Sequence, residues 1–114
     1  MSTGVDTATG WIVVGSTADL TPGEGRTYVV DGRQVAVFLL ADGSVRATEA
    51  VCPHRGGPIA DGQIDAATVT CPLHQYRFRF ADGSCTDAGI GSLGVFGARV
   101  DGSTIAVRLA PAVS

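Results

Sequence analysis

Cys52-Pro53-His54-Arg55-Gly56-Gly57-Pro58 and Cys71-Pro72-Leu73-His74-Gln75-Tyr76 are the two stretches on which the reading of this chain turns. Each offers one thiol and one imidazole within a single turn, and 16 residues separate His54 from Cys71. Each also follows a β-like run, residues 45–51 and 68–70. That order places two strand-end loops so that they can close on one centre from opposite sides.

Outward from these loops the chain reads as short strands divided by tight turns. Asp-Gly occurs at 31–32, 42–43, 61–62, 82–83 and 101–102, and this dipeptide tolerates the positive φ of hairpin turns. Residues 27–30 and 34–40 flank the first turn, and residues 95–100 are placed to pair with residues 104–109. In Arg77-Phe78-Arg79-Phe80 the period of two predicts both phenylalanines on one face and both arginines on a solvated back. No segment shows a sustained helical period with caps. Residues 21–25 read as a loop, residues 1–10 as a flexible N-terminal tail, and residues 11–110 as one domain whose metal-binding loops span about 51–78.

Composition agrees with a turn-rich β domain. In 114 residues, 45% are hydrophobic, only 17% are charged and 16 are glycine, about twice average usage. Every basic residue is an arginine, no basic stripe exists, and the net charge is −3, so nucleic acid is not an expected partner. The N-terminal stretch has no positive charge, and the apolar run at residues 11–14 is too short for a signal peptide or a membrane span. No membrane association is expected and the location expected is cytoplasmic. Three cysteines are an odd number, which argues against a disulfide framework and toward metal binding or redox chemistry.

Two chemistries suit the matched Cys/His pairs. A tetrahedral zinc site accepts two cysteines and two histidines, and would make this a zinc-stabilised binding module without a redox role. The order seen here, alternating Cys and His with a tight Cys52-x-His54, differs from the usual structural-zinc order. The other chemistry is an iron–sulfur cluster with mixed ligands.

The pattern Cys-x-His…Cys-x-x-His resembles the Rieske [2Fe–2S] proteins over roughly residues 27–109. The resemblance implies an all-β fold, a Rieske-type antiparallel β-sandwich with a small cluster-binding subdomain inserted. It implies one [2Fe–2S] cluster per chain, with Cys52 and Cys71 on the inner iron and His54 and His74 on the outer. Gly56 and Gly57 permit close backbone approach to the cluster, and Pro58 stiffens the loop. The high-potential members carry a further disulfide, whose positions here are Gly57 and Leu73, and hydrogen-bond donors where this chain has Tyr76 and Phe78. The run His74-Gln75-Tyr76-Arg77-Phe78 is similar to the His-Gly-Trp-x-Phe of oxygenase-type and ferredoxin-type members, with Gln75 in place of the usual glycine. A potential at the low end of the Rieske range, about −150 mV, follows from the missing donors.

Function is implied at the same level. The resemblance points to a one-electron carrier without independent catalysis. Its donor would be a flavoprotein or NAD(P)H-dependent reductase. Its acceptor would be a terminal oxygenase or the large subunit of a nitrite reductase, for which the chain would be the small subunit. His54, Arg55, His74 and Gln75 are the expected tip facing such partners, with Asp61 as an alternative pairing for Arg55. Cys85 is expected to be a small packing residue outside the ligand set.

Overall fold

The computed structural model describes residues 5–6, 10–52, 58–72, 75–86 and 91–109. Ten strands are assigned there: β1 (Val5–Asp6), β2 (Trp11–Ser16), β3 (Gly25–Val30), β4 (Arg33–Leu39), β5 (Val45–Glu49), β6 (Gln63–Ile64), β7 (Thr68–Thr70), β8 (Arg77–Arg79), β9 (Val95–Asp101) and β10 (Thr104–Arg108). The helical content among the described residues is two short 3₁₀ turns, Thr17–Asp19 and Ile59–Asp61. The fold is the expected all-β one.

The Asp-Gly dipeptides make turns of different kinds. Asp31 and Gly32 both have positive φ, 51° and 76°, the left-handed pair of a type I′ turn joining β3 to β4. At Asp42-Gly43 and Asp82-Gly83 only the glycine is left-handed, and the aspartate instead accepts hydrogen bonds from the following serine. Asp42 Oδ1 accepts from the Ser44 amide at 2.8 Å and hydroxyl at 2.6 Å, and Asp82 Oδ1 from the Ser84 amide at 2.9 Å and hydroxyl at 2.7 Å. Gly102, at φ 66°, opens the two-residue turn between β9 and β10. Asp61-Gly62 departs from the hairpin expectation. It ends the 3₁₀ turn with Gly62 at φ −75°, and glycine is required there because a Cβ would press on the Thr70 carbonyl.

The larger sheet runs β1-β2-β10-β9-β5-β4-β3, antiparallel throughout, and the smaller runs β6-β7-β8. Its β3-β4-β5 and β2-β10-β9 halves are joined by a short pairing of Ala47 with Phe96 and Thr48 with Val95. They enclose a core of Val30, Val35, Val37, Leu39, Val45, Ala47, Ile105, Val107 and Leu109. Part of the expected tail is paired: Val5 stands opposite Ile12 and Asp6 opposite Trp11, because the early edge of β2 is otherwise open to a further strand.

β4 is buried on both faces. Val35, Val37 and Leu39 enter the sandwich core, while Ala36 and Phe38, with Leu40 just beyond the strand, enter a second core under the small sheet. That second core also takes Ile59, Ala60, Val69, Phe78, Phe80 and Leu93. Phe38 and Phe80 meet with ring centroids 5.5 Å apart at 51°, a tilted aromatic pair fastening the subdomain to the sandwich. Phe78 and Phe80 are buried while Arg77 and Arg79 are exposed, the two-faced strand the alternation predicts. On the outer face of the sandwich Trp11 lies against Gly97, with the guanidiniums of Arg99 and Arg108 at 4.5 Å and 5.3 Å from its ring centroid.

Turn chemistry also bears on the acid response. The Ser44 hydroxyl and amide hold the Asp42 carboxyl below its ordinary range, the Ala67 and Thr68 amides do so for Asp65, and the Ser84 amide and hydroxyl for Asp82. A carboxylate whose folded pKa is depressed stabilises the fold above the unfolded value, near 4, and that support is lost as pH falls through the folded value. Urea midpoints should therefore fall as pH drops below about 4. The triple variant Asp42→Asn, Asp65→Asn, Asp82→Asn should show a shallower acid limb; superimposable limbs would remove these turns as its cause.

Candidate functional site

Both stretches singled out in the sequence leave the second core as loops closed at their bases. The chain leaves the second core after β5 at Cys52 and is described again from Pro58. Val51 and Pro58 form an antiparallel bridge across the mouth of this first loop, and the Ile59 amide donates to the Ala50 carbonyl at 2.9 Å. Ile59 and Ala60 then bury themselves in the second core. The second loop joins β7 to β8. The Cys71 amide donates to the Tyr76 carbonyl at 2.7 Å, and the Gln75 amide donates back to the Cys71 carbonyl at 3.0 Å.

Cys52 and Cys71 stand at the starts of these loops, 2% and 0% exposed, and belong to one apolar cluster with Phe38, Val69 and Leu93. Neither forms a disulfide. Apolar surroundings disfavour a bare thiolate, and ligation to a cationic centre is what allows two of them to be charged in one such place. The two thiols therefore suit the inner, solvent-shielded half of a metal site. His54 and His74, together with Pro53, Arg55, Gly56, Gly57 and Leu73, lie outside the described residues, as does the expected tip apart from Gln75. Among the described residues no group of three His, Cys, Asp or Glu side chains gathers.

Gln75 is exposed and left-handed, with φ 62°. A side chain in that region costs about 1 kcal/mol relative to glycine. Gln75 stands where the family pattern implied by the resemblance has glycine, and its backbone is one that glycine adopts without that cost. The Gln75 amide nitrogen Nε2 makes one long contact, 3.5 Å to the Pro72 carbonyl.

A third segment was not foreseen from sequence. After β8 the chain returns through residues 91–94, where Leu93 is 1% exposed inside the cysteine-containing core. The Leu93 amide donates to the Gly83 carbonyl at 2.8 Å, and the Glu49 amide donates to the Gly94 carbonyl at 2.8 Å. Glu49 Oε1 accepts from the Gly94 amide at 2.9 Å, and a Cβ on Gly94 would strike that carboxylate. Glu49 and Gly94 are 45 residues apart, so no local pattern announces the clamp. Cys85 bridges to Phe78 on the far edge of the small sheet and packs, half-buried, against the same core.

Comparison with known proteins agrees with this geometry. The Rieske [2Fe-2S] domain pattern matches residues 10–91. A structure from Mycobacterium tuberculosis assigned as an NADH-dependent nitrite reductase small subunit superposes with a TM-score of 0.79, at 35% identity over 88% of this chain and 96% of that one. The ferredoxin of carbazole 1,9a-dioxygenase from Nocardioides aromaticivorans superposes with a TM-score of 0.76, at 30% identity over 86% and 96%. A Rhodococcus rhodochrous protein assigned as the oxygenase component of a 3-ketosteroid-9-alpha-monooxygenase is 34% identical over 80 residues, which is 70% of this chain but 20% of that protein. The chain thus spans about a fifth of the length of that curated relative.

Phe38 links the cysteine cluster to the sandwich and is fully buried. Phe38→Ala should cost about 3–5 kcal/mol in denaturant unfolding, through lost transfer energy and the cavity left behind. A loss below about 1 kcal/mol would mean that the two cores are not coupled through this ring.

Proposed function

The chain belongs to the Rieske [2Fe-2S] family, and from that premise we propose that it carries single electrons through a cluster held by Cys52, His54, Cys71 and His74. The observation that carries the ligand assignment is the pair of buried cysteines, each opening a backbone-closed loop with a histidine two or three residues further on. A bound cluster of this kind supplies a one-electron couple. The chain's own part is to hold two thiolates away from water, to carry two imidazoles on loops closed at their bases, and to keep those loops from spreading when the charge changes.

Two neutral imidazoles in place of two thiolates leave the site less negative than an all-cysteine set, which favours reduction relative to plant-type ferredoxins at about −400 mV. The partners we propose are a flavoprotein or NAD(P)H-dependent reductase as donor, and a terminal oxygenase or nitrite reductase large subunit as acceptor. The likenesses to a dioxygenase ferredoxin and to a nitrite reductase small subunit support this pair of settings. No helix among the described residues is long and apolar enough to cross a membrane, and we place the exchange in the cytoplasm.

The purified protein should be reddish-brown, with the two irons and two acid-labile sulfides of a [2Fe-2S] centre, and should bleach partly with dithionite. His54→Ala and His74→Ala should each lose or scramble the cluster, whereas Cys85→Ser should retain it. Colourless protein holding stoichiometric zinc after anaerobic purification would establish the zinc-module alternative. Loss of iron from Cys85→Ser with retention in His54→Ala would overturn the ligand assignment.

A further inference from the structure

Gln75 is one of two non-glycine residues with positive φ among those described, and the other, Asp31, occupies a type I′ turn that aspartate tolerates well. Glutamine has no such local excuse. Its side chain is exposed, and its one side-chain hydrogen bond among the described residues, 3.5 Å to the Pro72 carbonyl, is too long to hold the backbone there. The left-handed conformation must therefore be imposed by the loop. Two main-chain hydrogen bonds impose it: the Cys71 amide to the Tyr76 carbonyl, and the Gln75 amide to the Cys71 carbonyl. The chain has four residues, 72–75, in which to leave Cys71, carry His74 and return to pair with Cys71 again. A reversal at position 75 is what lets both bonds form.

We propose that Gln75 is a positioning residue whose left-handed backbone, and not its carboxamide, fixes the direction of the His74 loop against Cys71 for cluster binding. This rests on the ligand reading given above. Residue 75 is covalently next to His74, so its φ sets the peptide plane that His74 is attached to. Its amide is meanwhile committed to the carbonyl of the neighbouring ligand, Cys71. A side chain that resists positive φ would have to break one of the two closing bonds, and the two ligands of this loop would lose their common frame.

The test is a series at position 75 ordered by tolerance of the left-handed region: Gln75→Gly, Gln75→Asn, Gln75→Ala, Gln75→Thr and Gln75→Val. Four readouts need no redox partner: urea unfolding of the apoprotein, the rate of iron loss to a chelator, the EPR g-values of the reduced protein, and the reduction potential by film voltammetry. Gln75→Gly should raise the apoprotein's folding equilibrium about threefold by relieving strain, offset in part by glycine's freedom when unfolded. It should leave g-values and potential unchanged. Gln75→Ala lacks the carboxamide but shares the backbone penalty, and should match the wild type in all four. Gln75→Val should lose iron about tenfold faster, with shifted g-values and potential in the folded fraction, and Gln75→Thr should fall between.

A merely structural role would lower stability across the series with g-values and potential constant, and that result overturns the proposal. So does Gln75→Ala grouping with Gln75→Val, because the carboxamide would then be the active part. Should Gln75→Val fail to fold, Gln75→Thr against Gln75→Ala decides the matter in the same terms. Wild-type protein without iron would instead defeat the ligand reading itself, and that is visible before any variant is made.

Discussion

Everything in this fold hangs on a strand that has no outside. β4 sends Val35, Val37 and Leu39 into the sandwich and Ala36 and Phe38 into the small subdomain, so neither core exists without it. Side chains on a strand alternate strictly, and a slip of one residue in its register would exchange the two sets. The exchange would put Phe38 where Val37 or Leu39 belongs and leave one of those aliphatic side chains to fill the space of its aromatic ring. Pairing with β3 on one side and β5 on the other, over six and five registered positions, forbids that slip. Cys52 and Cys71 lie in the core that Ala36 and Phe38 help to build, so the register of β4 is carried directly into the metal-binding half.

The two loops receive that rigidity at their roots. The first is closed by the Val51–Pro58 bridge and nailed down by buried Ile59, and the second by the reciprocal hydrogen bonds around Cys71. The Glu49–Gly94 clamp brings a third segment, anchored by Leu93, into the same core. An electron carrier needs ligands that shift little between two charge states, and side chains whose supports are themselves packed and hydrogen-bonded meet that need.

What could be read from sequence was what is local. The spacing of Cys52, His54, Cys71 and His74 needs no long-range information, and neither does the alternation that buries Phe78 and Phe80. The β9–β10 hairpin was equally plain, since Asp101-Gly102 stands between two runs of matching length. Asp61-Gly62 misled because a dipeptide's tolerance of positive φ does not say that φ will be positive. There the glycine answers the crowding of Thr70, a neighbour set by tertiary packing. The pairing of β2 with β10 depends on strands about ninety residues apart meeting, which no window of sequence displays. The unbroken apolar run from Val35 to Leu40 did carry the signal of a strand covered on both faces, but alternation alone does not reveal it.

Trp11 is the one tryptophan in the chain, and its indole touches Gly97 and stacks with two guanidiniums on the outer surface of the sandwich. It belongs to β2, outside the apolar core that holds the cysteines. Indole emission responds to solvent and to nearby charge, so this residue is a built-in optical gauge of the β2–β10–β9 sheet alone. Visible absorbance would follow the opposite half of the molecule. The protein thus has two separate colours by which its halves can be watched, and any lag between them during unfolding would time the moment at which the β4 connection gives way.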